Sequence, residues 1–191
     1  MRANLIIPVI ALCTALAGCT EKKSQTAAVP KPAAYPRIAD PGTQYVVVDS
    51  LPVNLLANAE ATVSRPRPDW IDISYPELGA TVHVSLTMTS PDDIARVIDN
   101  RSERIALNVA GVSSTAETTI ESPDFTSVII SSPETRSTPL QFLSHNGKSL
   151  VISGTAFFGN VSPEASIDSL APIVSYINRD LTHALSNLKA L

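Results

Sequence analysis

Three histidines, His83, His145 and His183, and a large supply of serines are the residues whose types could carry proton transfer or nucleophilic attack. A Ser/His/Asp arrangement assembles in space rather than in sequence, and nothing in the spacing selects one histidine over another. No G-x-S-x-G elbow occurs. Lys148-Ser149 after Gly147 is the tail of a phosphate-binding loop, but G-x-x-x-x-G-K-[ST] needs its first glycine where Phe142 stands. Asp92-Asp93 has the look of a metal pair, yet its place at a helix start explains both carboxylates without a metal. Glu164 and Asp168 flank a second helix start and have no partner at a glycosidase spacing. Trp70, Tyr75, Phe142, Phe157 and Phe158 can line a ligand groove or fill a core, and on strands the core is the commoner place. The expectation is therefore no catalytic residue, no metal and no cofactor.

Cys19 is different. Arg2 is the only charge before it, and the apolar run Asn4 to Leu16 leads into small residues. That is a secretory signal, too short and too interrupted by Pro8 to span a bilayer as a helix of roughly 20 residues. Leu16-Ala17-Gly18-Cys19 resembles the bacterial lipobox, in which the cysteine takes a diacylglyceryl group, becomes the first mature residue and is acylated again on its amine. Several acyl chains hold a protein stably at a bilayer, because each buried CH₂ contributes ~0.8 kcal/mol. Cys13 leaves with the signal, so Cys19 has no disulfide partner, and with no neighbouring histidine it is a poor metal ligand. Residues 1–18 are read as a lipoprotein signal peptide, 19–34 as lipidated cysteine and Ala/Pro-rich tether, and 35–191 as one domain. The net charge of −4, with Lys and Arg scattered, argues against a nucleic-acid partner.

The elements that would position any chemistry follow from periodicity. "TQYVVVDS", "DWIDISYP" and "ATVHVSLTM" read as strands. Val82, Val84 and Leu86 share one face of the last, and Thr81, His83 and Ser85 the other. From Ser90 the period changes. Ser90 suits a cap, Pro91 a first helical position, and Ile94, Val97, Ile98 and Ile105 one helical stripe that stops near Gly111. "AETTIES", "FTSVIISS" and "PLQFLSHNGKSLVISGTAFFG" return to strands, with a type I′ hairpin expected at Asn146-Gly147. A second helix is expected from about Ser169, capped by Asp168, with Pro172 in its first turn. Its apolar stripe runs through Leu170, Ile173, Val174, Ile177, Leu181, Ala184, Leu185 and Leu188. Short turns between strands predict an α+β fold, a mostly antiparallel sheet with two packed helices, similar to Mog1/PsbP/DcrB domains.

Several segments together resemble the GldD family of gliding-motility lipoproteins of Bacteroidetes. They are Pro30 to Ile38 (P-K-P-x-G-Y-x-R-I/L), Trp70 to Pro76 (W-x-x-I-x-Y/F-P), Ala80 to Ser85, and Asp168 to His183, which ends in D-I/L-x-H. Ala34 replaces the usual glycine, and Leu51 and Asp69 stand where members carry cysteines, so a family disulfide, if one exists, is absent. The resemblance implies a process rather than a reaction: a periplasm-facing, lipid-anchored, non-enzymatic accessory or assembly factor of gliding motility and type IX secretion. Its partners would be the bilayer, through Cys19, and other envelope proteins. Pro32, Tyr35 and Arg37 match the family start and suit a docking surface. The alternative is a periplasmic or surface lipoprotein that binds an envelope glycan or small ligand. Its expected sign is an aromatic-lined, water-accessible pocket on the sheet.

Overall fold

A computed structural model describes residues 38–159 and 166–191. The expected signal peptide and tether, with Cys19, Pro32, Tyr35 and Arg37, and also Glu164, lie outside the described residues. Among the described residues nine strands and two α-helices follow in order. The strands are β1 (Tyr45–Val47), β2 (Leu56–Asn58), β3 (Thr62–Arg67), β4 (Trp70–Tyr75), β5 (Ala80–Met88), β6 (Ala116–Glu121), β7 (Thr126–Ser131), β8 (Leu140–His145) and β9 (Leu150–Phe158). Helix α1 (Ile94–Asn108) sits between β5 and β6, and α2 (Ile167–Ser186) follows β9. β1 and β2 make a small antiparallel pair. The other seven strands form one antiparallel sheet in the order β3-β4-β5-β9-β8-β7-β6. The fold is α+β, as the pattern of periods predicts.

Alternation decides which side chains meet. Ile71, Ile73 and Tyr75 of β4 and Val82, Val84 and Leu86 of β5 are buried on one face, while their neighbours along each strand are only half-buried. That face packs against Ile177, Leu181 and Leu185 of α2, and each such side chain taken from water contributes ~1.5–3 kcal/mol. On the opposite face, Ile94 of α1 meets Leu143 and Val151, with Val97, Ile98 and Ile105 beside them. β8 is therefore covered on both sides. Leu140 and Phe142 face α2 and Leu143 faces α1, so five of its six residues are buried.

The structure corrects several local expectations. β2 and β3 carry no clear alternation. β3 is an edge strand that accommodates Pro66 through an irregularity between Ser64 and Arg67. Asn146-Gly147 is not a two-residue type I′ turn, because only Gly147 has a positive φ, +67°. The Asn146 side-chain oxygen instead accepts the backbone N–H groups of Lys148, Ser149 and Leu150, which closes a longer loop. Helix α1 starts at Ile94, after a turn in which Ser90 Oγ accepts the Asp93 N–H. Helix α2 starts at Ile167 and is capped by Ser166, whose hydroxyl accepts from the Ser169 N–H; Asp168 lies inside the first turn. Pro172 then falls within the helix, past the turn where its missing N–H would be harmless.

Gly154 stands opposite Phe142 in the β8–β9 ladder, where there is no room for a side chain. A Cβ there would overlap the Phe142 ring and approach the His83 carbonyl oxygen to 2.8 Å. Gly154→Ala is expected to destabilise the domain by ~1–3 kcal/mol, the usual range for overpacking, as read from urea unfolding. An unchanged midpoint would mean that Phe142 is free to move aside.

Candidate functional site

Helix α2 carries Asp180 on its apolar stripe, three residues after Ile177 and one before Leu181. The carboxylate is 4% exposed. A charge so placed must be hydrogen-bonded to persist, and four donors reach it. Oδ1 accepts from Tyr45 Oη at 2.9 Å and from Arg179 Nε at 3.3 Å. Oδ2 accepts from Asn58 Nδ2 at 2.9 Å and Tyr75 Oη at 3.2 Å. The donors come from β1, β2, β4 and α2 itself. Asn58 also donates to the Gly42 carbonyl, as does Arg179, which pairs with Asp40 as well. The His183 ring stacks on Tyr45 with centroids 4.0 Å apart. Burial, then the Asp180 charge, pushes the Tyr75 phenol far above its ordinary value of 10.0, and the same causes raise Tyr45.

The second constellation lies on the sheet face that α1 covers only in part. Trp70, His83 and Phe157 form a diagonal row across β4, β5 and β9. Trp70 pairs with Ser85 and Phe157 with Thr81, two residues to either side of His83. Ring centroids are 5.9 Å apart for Trp70 and His83, and 6.2 Å for His83 and Phe157. Asp72 Oδ1 accepts both the Trp70 indole N–H at 2.6 Å and His83 Nδ1 at 2.7 Å. A carboxylate can only accept, so that bond assigns a proton to Nδ1 and turns the Nε2 edge of the ring away from Asp72. Arg67 lies over the indole, 5.3 Å from its centroid. The row borders an open cavity of about 380 Å³, whose far wall is Arg101, Arg104 and Asn108 of α1 and whose floor includes Gln141 and Thr155. Asn108 donates to Gln141 Oε1 at 2.8 Å.

The sequence-level candidates sort clearly. Tyr75, Phe142 and Phe158 are buried in the main core, whereas Trp70 is half-buried and Phe157 is 41% exposed, both on the cavity. Asp93 pairs with Arg96 and Ser90, and among the described residues no group of three or more metal-ligating side chains occurs. Lys148 and Ser149 close the β8–β9 loop. Among the described residues the imidazoles have three different settings. His83 bonds to Asp72, His183 stacks on Tyr45, and His145 Nδ1 is buried without a hydrogen-bond partner. Sequence reasoning passed over Arg101 and Arg104, and it met Asp180 only as the first residue of the D-I/L-x-H motif, without a role. The signal for its burial was a carboxylate set among the apolar positions of the last helix.

Residues 25–189 match the family described as gliding motility lipoprotein GldD. No curated protein matches the chain. The motif residues that suggested the resemblance divide between the two constellations. Trp70 and His83 border the cavity, while Tyr75, Asp180 and His183 gather around the buried carboxylate.

Asp180→Ala leaves the Tyr75 hydroxyl and the Asn58 amide as buried donors without their acceptor, and should cost at least about 3 kcal/mol in urea unfolding. The raised tyrosines add a pH dependence. The neutral phenol is the form the fold favours, so this contribution is complete below pH 10.0 and declines as pH rises beyond it. Tyr75→Phe should flatten the alkaline loss of stability, and an unchanged alkaline profile would contradict the assignment.

Proposed function

Because the chain belongs to the GldD family of gliding motility lipoproteins, we propose that it is a lipid-anchored, periplasm-facing accessory or assembly factor of the gliding-motility and type IX secretion machinery. The reading rests on one observation, a family match that spans residues 25–189. A lipoprotein of this family is a cell-envelope protein held at a membrane, and no helix among the described residues is long and apolar enough to cross one. In this proposal Cys19 carries the acyl chains and residues 20–34 tether the body. Pro32, Tyr35 and Arg37 dock a partner close to where the chain enters the domain. Ile38, the first described residue, packs against the main core. The role is non-enzymatic: the domain contributes shape and contacts to a larger assembly.

A second reading, binding of an envelope glycan or small ligand, is favoured by Trp70 and Phe157, two aromatic rings kept at the border of a water-accessible cavity instead of in the core. The two readings are compatible, since an assembly factor can be recruited by what it binds.

Radiolabelled palmitate should enter the wild-type protein and fall to background in Cys19→Ala, with the variant moving from the membrane pellet to the soluble fraction. Deleting the gene should reduce release of C-terminally tagged cargo and abolish surface spreading. Label that survives the substitution contradicts the anchor. Normal secretion and spreading in the deletion strain contradict the accessory role.

A further inference from the structure

The cavity between α1 and the row Trp70–His83–Phe157 is unlike the rest of the surface. The chain carries a net charge of −4, yet among the described residues this cavity is lined by two arginines and no carboxylate. Another cavity, of about 340 Å³, is the reverse, with Asp40, Glu60 and Glu77 in its wall. Arg104 is exposed and makes no ion pair among the described residues; Arg101 makes a single hydrogen bond, to Thr87 Oγ1 at 3.1 Å. The nearest carboxylate on the row, Asp72, already accepts from Trp70 and His83 through one oxygen. Two guanidinium groups thus stand beside aromatic rings without an acidic residue in the cavity wall to neutralise them.

We infer that this cavity binds an acidic saccharide, with Trp70 and Phe157 against the sugar rings and Arg101 and Arg104 on its carboxylate or phosphate. The inference rests on the ligand-binding reading above and names the ligand's chemistry. Its parts are complementary. A guanidinium forms a two-pronged hydrogen-bonded pair with a carboxylate or phosphate. Half-exposed rings offer flat apolar area to the C–H faces of a sugar, and His83, bonded to Asp72 through Nδ1, has Nε2 left for a hydroxyl. Hydroxyls and amides on the floor, from Ser85, Ser153, Thr155 and Gln141, match the many hydroxyls of a saccharide. A volume of about 380 Å³ fits a small ligand. An acidic peptide fits less well. β5 and β9 are interior strands whose ladder hydrogen bonds are taken on both sides, so no edge is offered for strand addition.

Trp70 is the only tryptophan in the chain, so its fluorescence reports on this cavity alone. The full-length lipoprotein in detergent micelles is titrated with trigalacturonate, a mannose phosphate oligosaccharide, neutral maltotriose, inorganic phosphate and a hexaglutamate peptide. At least one acidic saccharide should give a saturable change, at least tenfold tighter than maltotriose, phosphate or the peptide. The Arg101→Ala/Arg104→Ala double variant should weaken it at least tenfold, and so should Phe157→Ala, with circular dichroism showing each variant folded. The two acidic saccharides tell carboxylate from phosphate recognition. Equal binding of maltotriose and the acidic saccharides would overturn the charge selection while leaving the ligand-binding reading intact. No saturable change with any saccharide would overturn both, and tighter binding of hexaglutamate would replace the saccharide with an acidic peptide.

Discussion

A carboxylate at 4% exposure sets the terms for this fold. Taking an ionised group out of water costs several kcal/mol, and only well-placed donors offset it. Asp180 has four, from three strands and its own helix. Each donor must arrive in register for the group to be buried at all. The β1–β2 pair has three residues per strand, too few to be stable alone. Through Tyr45 and Asn58 it is keyed to α2, and through Tyr75 the same carboxylate fixes α2 over the large sheet.

That arrangement makes the two faces of the sheet unequal. Helix α2 closes one face with a continuous apolar core that extends into the β1–β2 pair. The apolar stripe of helix α1 packs over β8 and β9, on Leu143 and Val151. The remaining face, formed by β4, β5 and the far end of β9, keeps its polar alternates and its two exposed rings in contact with water. One face is thus closed by an apolar core and the other keeps an open cavity. The matched family's motif residues fall on both, around Asp180 and along the cavity.

How much of this could be read from the chain depended on the kind of signal. β4 and β5 alternate cleanly, because one of their faces is core and the other is not, so their faces and pairing followed from period two. The stripe of α2 was equally plain. β8 hid its faces because both are covered, and β3 hid itself because an edge strand with Pro66 needs no apolar pattern. Helix starts slipped by a few residues: Ser166 competes with Asp168 for the cap of α2, and Ser90 closes a turn before α1 begins. The aromatic residues show the limit of local reading. Phe157 and Phe158 are adjacent, and only the tertiary structure shows that the first is 41% exposed and the second 3%. Asp180 was harder still, since its three strand donors lie more than 100 residues earlier in the chain. The expectation of lipidation at Cys19 rests on the leader sequence alone.

The central claim is that Asp180 and the strand donors act as one unit. A double-mutant cycle between Tyr75→Phe and Asp180→Asn, measured by urea unfolding, tests it most directly. Two groups sharing a buried charge-assisted hydrogen bond should show a coupling of about 1–3 kcal/mol. Additive effects, within about 0.5 kcal/mol, would mean that the carboxylate does not organise the fold in this way.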